Sequence, residues 1–145
     1  MSNTTVPYRH RAQYYETDRM GIIHHSNYIR WMEEARIDFL RQQGIRYSDL
    51  EAGGLVSPIF EVNCRYKRMV RFEEIVAVEV SVAKYSGVKL VLSYRMTNES
   101  TGEICAEGES TSCFMNSDGR LISLKKEYPE LHALFESLAG ITDKP

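Results

Sequence analysis

A chain of 145 residues with 18 Lys and Arg against 20 Asp and Glu, formal net charge −2, lacks the broad basic surface expected of a nucleic-acid-binding protein. Hydrophobic residues make up 43% and charged residues 26%, enough for one buried core in a chain too short for two typical domains, so residues 1–145 are expected to form a single domain. No apolar run approaches the roughly 20 residues that cross a bilayer, and the start MSNTTVPYRHR has no apolar signal core, which predicts a cytoplasmic protein with no membrane attachment.

In chain order, Tyr8 to Tyr15 reads as extended, and a polar turn follows with Glu16, Thr17 and Asp18. Gly21 is expected to let the backbone bend where a side chain would clash. A helix is predicted from about Asn27 to Gln43, with Ser26 as its N-cap and Gly44 as its C′ residue. Tyr28, Trp31, Met32, Ala35, Phe39 and Leu40 recur at three- and four-residue intervals, and Ile29 and Ile37 widen the stripe, so this helix should be covered on most sides. A turn-rich connection through Gly53 and Gly54 leads to patterns of period two. The alternating series are Phe60 to Tyr66, Val76 to Val82, Val88 to Met96 and Cys105 to Met115, with hairpin turns at Ser86-Gly87 and Asn98 to Gly102. Pro58 marks an edge or a bulge. Ala106, Gly108, Ser110 and Ser112 are too small to fill a core, so something bulky must approach that strand closely, and the long helix is the candidate. An amphipathic stretch from Tyr128 to Leu138 should pack on the periphery. One helix followed by antiparallel strands gives an α+β fold with the sheet wrapped around the helix.

The chemistry concentrates between Tyr14 and Arg36, where YYETDRMGIIHHSNYIRWMEEAR joins a strand to the helix. A helix start carries unpaired N–H donors that can polarise a carbonyl oxygen, and a carboxylate beside it can act as base or nucleophile. Asp18, Gly21, Ile22, Ile23, His25, Asn27 and Tyr28 fall in register with the signature of the 4-hydroxybenzoyl-CoA thioesterase family of hotdog-fold enzymes, which the segment resembles. The resemblance implies about five antiparallel strands around a central helix and an acyl-CoA substrate; no cofactor or metal is expected. It makes Asp18 the catalytic carboxylate and His25 the donor of an oxyanion-binding backbone amide. Tyr14, Glu16, Gly21, Asn27 and Tyr28 would shape the site. The position of Glu16 is often Asp in that family. The resemblance also implies a homodimer joined edge to edge, often paired again into a homotetramer, with active sites at the subunit boundary.

Other chemistries fit less well. His24 and His25 are adjacent and lack HExxH or another ligand spacing, and a Ser26 nucleophile lacks the GxSxG elbow. Glu33 and Glu34 are the reserve carboxylates, because some hotdog thioesterases place theirs on the central helix. Cys64, Cys105 and Cys113 lie far apart in strand-like runs and read as structural thiols. The run Arg65, Tyr66, Lys67, Arg68, Met69, Val70, Arg71 is the densest basic cluster. It is either a solvated loop or a cradle for the phosphates of coenzyme A, with Lys67, Arg68 and Arg71 as ligands and Lys84 and Lys89 as further candidates. A hotdog hydratase or dehydratase and a non-catalytic acyl-CoA-binding module are the alternatives; the Asp18-to-Gly21 spacing argues against the first and the presence of Asp18 against the second.

Overall fold

The computed structural model describes residues 5–143. Strand β1 (Tyr8–Arg11) leads through a single 3-10 turn at Tyr14–Glu16 to helix α1 (Ser26–Gln42) and the short helix α2 (Tyr47–Ala52). Strands β2 (Ile59–Tyr66), β3 (Ile75–Tyr85), β4 (Lys89–Asn98) and β5 (Glu103–Cys113) follow, and α3 (Leu124–Glu127) and α4 (Pro129–Asp143) end the described chain. The five strands form one antiparallel sheet in the order β1-β3-β4-β5-β2. This is the hotdog arrangement expected from the sequence.

Helix α1 stops as its sequence dictates. Gly44 takes φ +85°, the Gly44 amide donates to Arg41 O at 2.9 Å, and the Ile45 amide reaches back to Leu40 O at 2.9 Å, which is a Schellman closure. Its start differs from expectation, because Ser26 is the first helical residue and its hydroxyl caps no amide of the next turn. The imidazole of His24 does the capping instead: its Nδ1 accepts from the Ser26 amide at 3.2 Å and lies 2.9 Å from Ser26 Oγ.

The core lies between α1 and the sheet. Trp31, Met32, Ala35, Phe39 and Leu40 from the helix meet Val76, Val78, Val82, Leu90, Leu92, Tyr94 and Met96 from the strands. α4 supplies Phe135 and Leu138 to the same core, with Phe135 against Tyr85 and Phe114, so it contributes more than a peripheral cover. The small residues of β5 leave room for a side chain of the helix. A Cβ on Gly108 would meet Met32 Cε at 2.7 Å and would collide with the backbone oxygen of Asn63 on β2. β2 is an edge strand with a register shift between Ile59 and Glu61, just after Pro58. Its alternation is therefore only half satisfied: Cys64 packs toward the core, whereas Phe60, Val62 and Tyr66 are exposed. Among the described residues no helix is long and apolar enough to cross a membrane.

Gly108→Ala is expected to cost about 3 kcal/mol in chemical denaturation, because the added methyl meets backbone that cannot move without parting the β2-β5 ladder. Adding Met32→Ala should leave most of that loss in place. An unchanged denaturation midpoint would show that the β2 backbone does not lie this close to Gly108.

Candidate active site

Residues 17–23 fold into a tight loop held at its base by pairing of Thr17 with Ile23. The Asp18 amide donates to Ile22 O at 2.8 Å, and the Gly21 amide to Asp18 O at 3.0 Å. Gly21 has φ +79°, and a Cβ there would touch nothing within 4 Å. Glycine is thus required for the left-handed backbone and not, as expected from sequence, to avoid a clash. One carboxylate oxygen of Asp18 accepts from the Met20 amide at 2.8 Å; the other has no hydrogen-bond partner among the described residues.

This loop forms one wall of a cleft of about 350 Å³ lined by Asp18, Met20, Ile22, Ile23, His25, Tyr28, Tyr66, Lys67, Arg68 and Met69. The N-terminus of α1 enters the cleft at His25. The Ser26, Asn27 and Tyr28 amides all have acceptors, but the His25 N–H has none among the described residues. The carbonyl of the same residue accepts from Tyr66 Oη at 3.0 Å, and the Tyr66 ring stands edge-on to Tyr28 with centroids 4.9 Å apart. Burial pushes the phenol pKa of both tyrosines upward, so both hydroxyls stay protonated. A carboxylate with a free oxygen, an unsatisfied amide and a mostly apolar wall can hold a carbonyl group and attack it, or activate water beside it.

The remaining candidates divide sharply. Lys67 and Arg68 line the cleft, although each also reaches an acid on β5, with Lys67 Nζ 2.9 Å from Glu107 and Arg68 Nε 3.3 Å from Glu103. Lys67, Arg65 and Arg95 together hold the Glu107 carboxyl below its usual range. Arg71 is exposed and does not line the cleft; its backbone bridges to Ile22. Tyr14 belongs to the 3-10 turn and not to an extended segment; it is exposed and edge-on to Phe72. Asn27 points inward and donates to the carbonyls of Glu16 and His24. Glu16 is buried among His10, Gln13 and Trp31. Burial opposes its ionisation, but hydrogen bonds from His10, Trp31 and the Gln13 amide outweigh that and hold its pKa below the usual value. Tyr14, Glu16 and Asn27 therefore do not face the cleft.

Lys84 and Lys89 lie beside the β3-β4 turn. Lys89 pairs with Cys113 and stands over the Phe60 ring, at the end of β2 opposite to Tyr66, roughly 20 Å away along the strand. The chain does not bring them to its own cleft. Glu33 is tied to Arg36, and Glu34 accepts from Tyr8, so neither reserve carboxylate lines the cleft. The His24 and His25 rings stack on one another at 4.2 Å. Burial pushes the Cys105 thiol up to about 11 and raises that of Cys64, which leaves neither as a thiolate near neutral pH. A larger hollow of about 480 Å³ on the sheet is walled by charged side chains, among them Arg65, Glu79, Arg95, Glu107 and Glu109.

Tyr66 is the site residue that sequence reasoning missed. It lies 41 positions from His25 and looked like one more member of an alternating series, so only the tertiary fold could reveal its bond to the helix start.

Residues 12–136 match the family model described as the thioesterase-like superfamily. The chain belongs to that superfamily. YneP of Bacillus subtilis (strain 168) is 34% identical over 86% of this chain and 91% of its own. The DHNA-CoA thioesterase of Staphylococcus aureus superposes with a TM-score of 0.90 at 32% identity, covering 95% of this chain and 93% of that one. The acyl-CoA thioester hydrolase YbgC of Escherichia coli O6:H1 is 24% identical over 68% of this chain and 73% of its own. The superfamily member described above is an enzyme of the thioester-hydrolase class.

Proposed function

We propose that the protein hydrolyses a small-molecule acyl-CoA thioester to the free acid and coenzyme A. The observation that carries this reading is that Asp18, with one carboxylate oxygen free among the described residues, and His25, whose N–H has no acceptor among them, both line one cleft. The substrate carbonyl oxygen would accept from that amide, at the positive end of α1, and the charge that develops there on attack would be stabilised. Asp18 either attacks the carbonyl carbon, expelling the thiolate and leaving a mixed anhydride that water cleaves, or removes a proton from water as it attacks. Both routes end in the same acid and thiol. Tyr66, exposed and backed by the buried Tyr28, offers a ring surface suited to a flat acyl group, and the similarity to a DHNA-CoA thioesterase supports testing aryl thioesters first. A hydratase would call for an acid on the helix facing the substrate, and among the described residues none of the α1 carboxylates lines the cleft.

The assembly we propose is at least a dimer. β2 offers a free edge with Phe60, Val62 and Tyr66 exposed along it, the kind of edge that proteins pair or block. Antiparallel pairing of two such edges would set the cleft at the Tyr66 end of one copy beside the Ile59 end of the other, where Lys84 and Lys89 lie. That would reunite the basic residues that a single chain keeps apart.

Asp18→Asn should lower kcat for acyl-CoA hydrolysis by two or more orders of magnitude, on the order of 10²-fold at least, with KM nearly unchanged. Retention of more than roughly a tenth of wild-type turnover would dismiss Asp18 as the reacting group. Neutralising Lys67 and Arg68 together should raise KM for acyl-CoA by about tenfold or more and affect a truncated thioester without the nucleotide far less, whereas equal effects on both would point to a purely structural cluster. Light scattering should give a mass at least twice that of the chain. A monomer with full activity would refute a site completed by two copies.

A further inference from the structure

The buried acid that the proposed chemistry leaves unused is Glu16. It lies two residues before Asp18 and is 5% exposed, yet every part of it is engaged. Its Oε1 accepts from His10 Nε2 at 2.9 Å and from the Gln13 amide at 2.8 Å, and its Oε2 accepts from Trp31 Nε1 at 2.8 Å. Its backbone carbonyl accepts from the His24 amide at 2.8 Å and from Asn27 Nδ2 at 2.9 Å. Asn27 and Trp31 are one helical turn apart on the same face of α1, so the helix grips this residue twice, once through main chain and once through side chain. His10 is itself oriented by a second acid, with Nδ1 3.4 Å from Glu34 Oε1 and the ring against Trp31 at 4.7 Å.

We infer that Glu16 is the positioning residue of the site: its carboxylate and carbonyl together clasp the Asp18 loop to β1 and to the first turn of α1, fixing the carboxylate of Asp18 relative to the His25 N–H. The loop is also tied down by backbone pairing of Ile22 to Arg71 and of Ile23 to Val70. Glu16 adds a connection from the start of the nucleophile's loop directly to α1, through Asn27 and Trp31. The inference rests on the thioesterase reading for its kinetic consequence, but not for the clasp itself.

A carboxylate is specifically required. Three N–H donors converge on its two oxygens, and an amide has one oxygen and one NH2 group. In Glu16→Gln, whichever way the amide turns, the NH2 faces a buried N–H, either that of Trp31 or that of Gln13. The clash should shift the loop, and a misplacement of about 1 Å between reacting groups costs on the order of 10²-fold in rate.

The test compares Glu16→Gln, Asn27→Ala and the double variant Glu16→Gln/Trp31→Phe with wild type in acyl-CoA hydrolysis, and follows the amide resonances of residues 17–25 by NMR. The chain has a single tryptophan, so its one indole N–H resonance reports the Glu16 bond directly. Glu16→Gln should lower kcat on the order of 10²-fold per folded molecule with KM within about twofold, and should shift the indole resonance and the loop amides. Removing the opposing N–H in the double variant should recover at least about tenfold of that kcat. Asn27→Ala removes the helix side chain's bond to the Glu16 carbonyl and leaves the carboxylate bonds intact, so it should lower kcat while leaving the indole resonance in place; it carries the test if Glu16→Gln does not fold. The inference is overturned if Glu16→Gln keeps kcat within about threefold of wild type, if it lowers stability alone with kcat per folded molecule intact, or if the double variant is no better than the single. If wild type cleaves no acyl-CoA, the proposed function fails by itself. The clasp is then judged by the loop amides, and unmoved resonances in Glu16→Gln would refute it.

Discussion

Everything in this fold depends on how closely α1 lies against the sheet. α1 lies mainly against β3, and at β5 Gly108 leaves only backbone for Met32 to rest on while Ala106, Ser110 and Ser112 keep the neighbouring positions low. With the helix seated there, Trp31 and Asn27 meet the turn that follows β1, and the first turn of the helix opens into the cleft beside Tyr66. A helix held even one side-chain layer further out would lose the contacts that place its N-terminus. The packing that stabilises the core and the geometry that places the cleft are therefore one constraint, because interiors this dense transmit displacement instead of absorbing it.

The parts of the fold governed by repetition were legible in the sequence. Period-two runs marked β2 to β5, the broad apolar stripe marked α1, and the small residues of β5 foretold the close approach, because each rests on local side-chain geometry that a linear pattern records. The parts governed by a single long-range contact were not. Nothing near Ser26 announced that His24 would cap the helix, since both are plausible acceptors and only the backbone decides which one faces the amide. Glu16 read as a site-lining acid by its neighbours in sequence, while its destination was set by His10 and Trp31. Lys84 and Lys89 were grouped with the basic run by charge alone, and strand direction sends them to the other end of β2. Helix α2 went unforeseen because its six residues bury little and carry no clear stripe.

The site itself joins two kinds of polar group with opposite fates. Glu16 spends its full hydrogen-bonding capacity on the protein and is fixed. Among the described residues Asp18 retains one free oxygen and His25 a free N–H, both at a surface open to solvent. Buried polar groups left unpaired are costly, so their appearance at a cleft edge, where water or a ligand can pair with them, is the arrangement that a binding site permits and a core does not.

Glu107 and Glu103 give the basic rim a further property. Lys67 and Arg68 are not waiting cations; each already has a carboxylate within reach on β5. A phosphate arriving there exchanges one anion for another, so the net gain is the difference between two ion pairs at a hydrated surface, a small quantity that salt reduces further. On the proposed reading, the nucleotide end is common to substrate and product. A rim that held it tightly would be blocked by its own spent coenzyme, whereas resident carboxylates that reclaim their lysine and arginine help displace the product and clear the cleft for the next turnover.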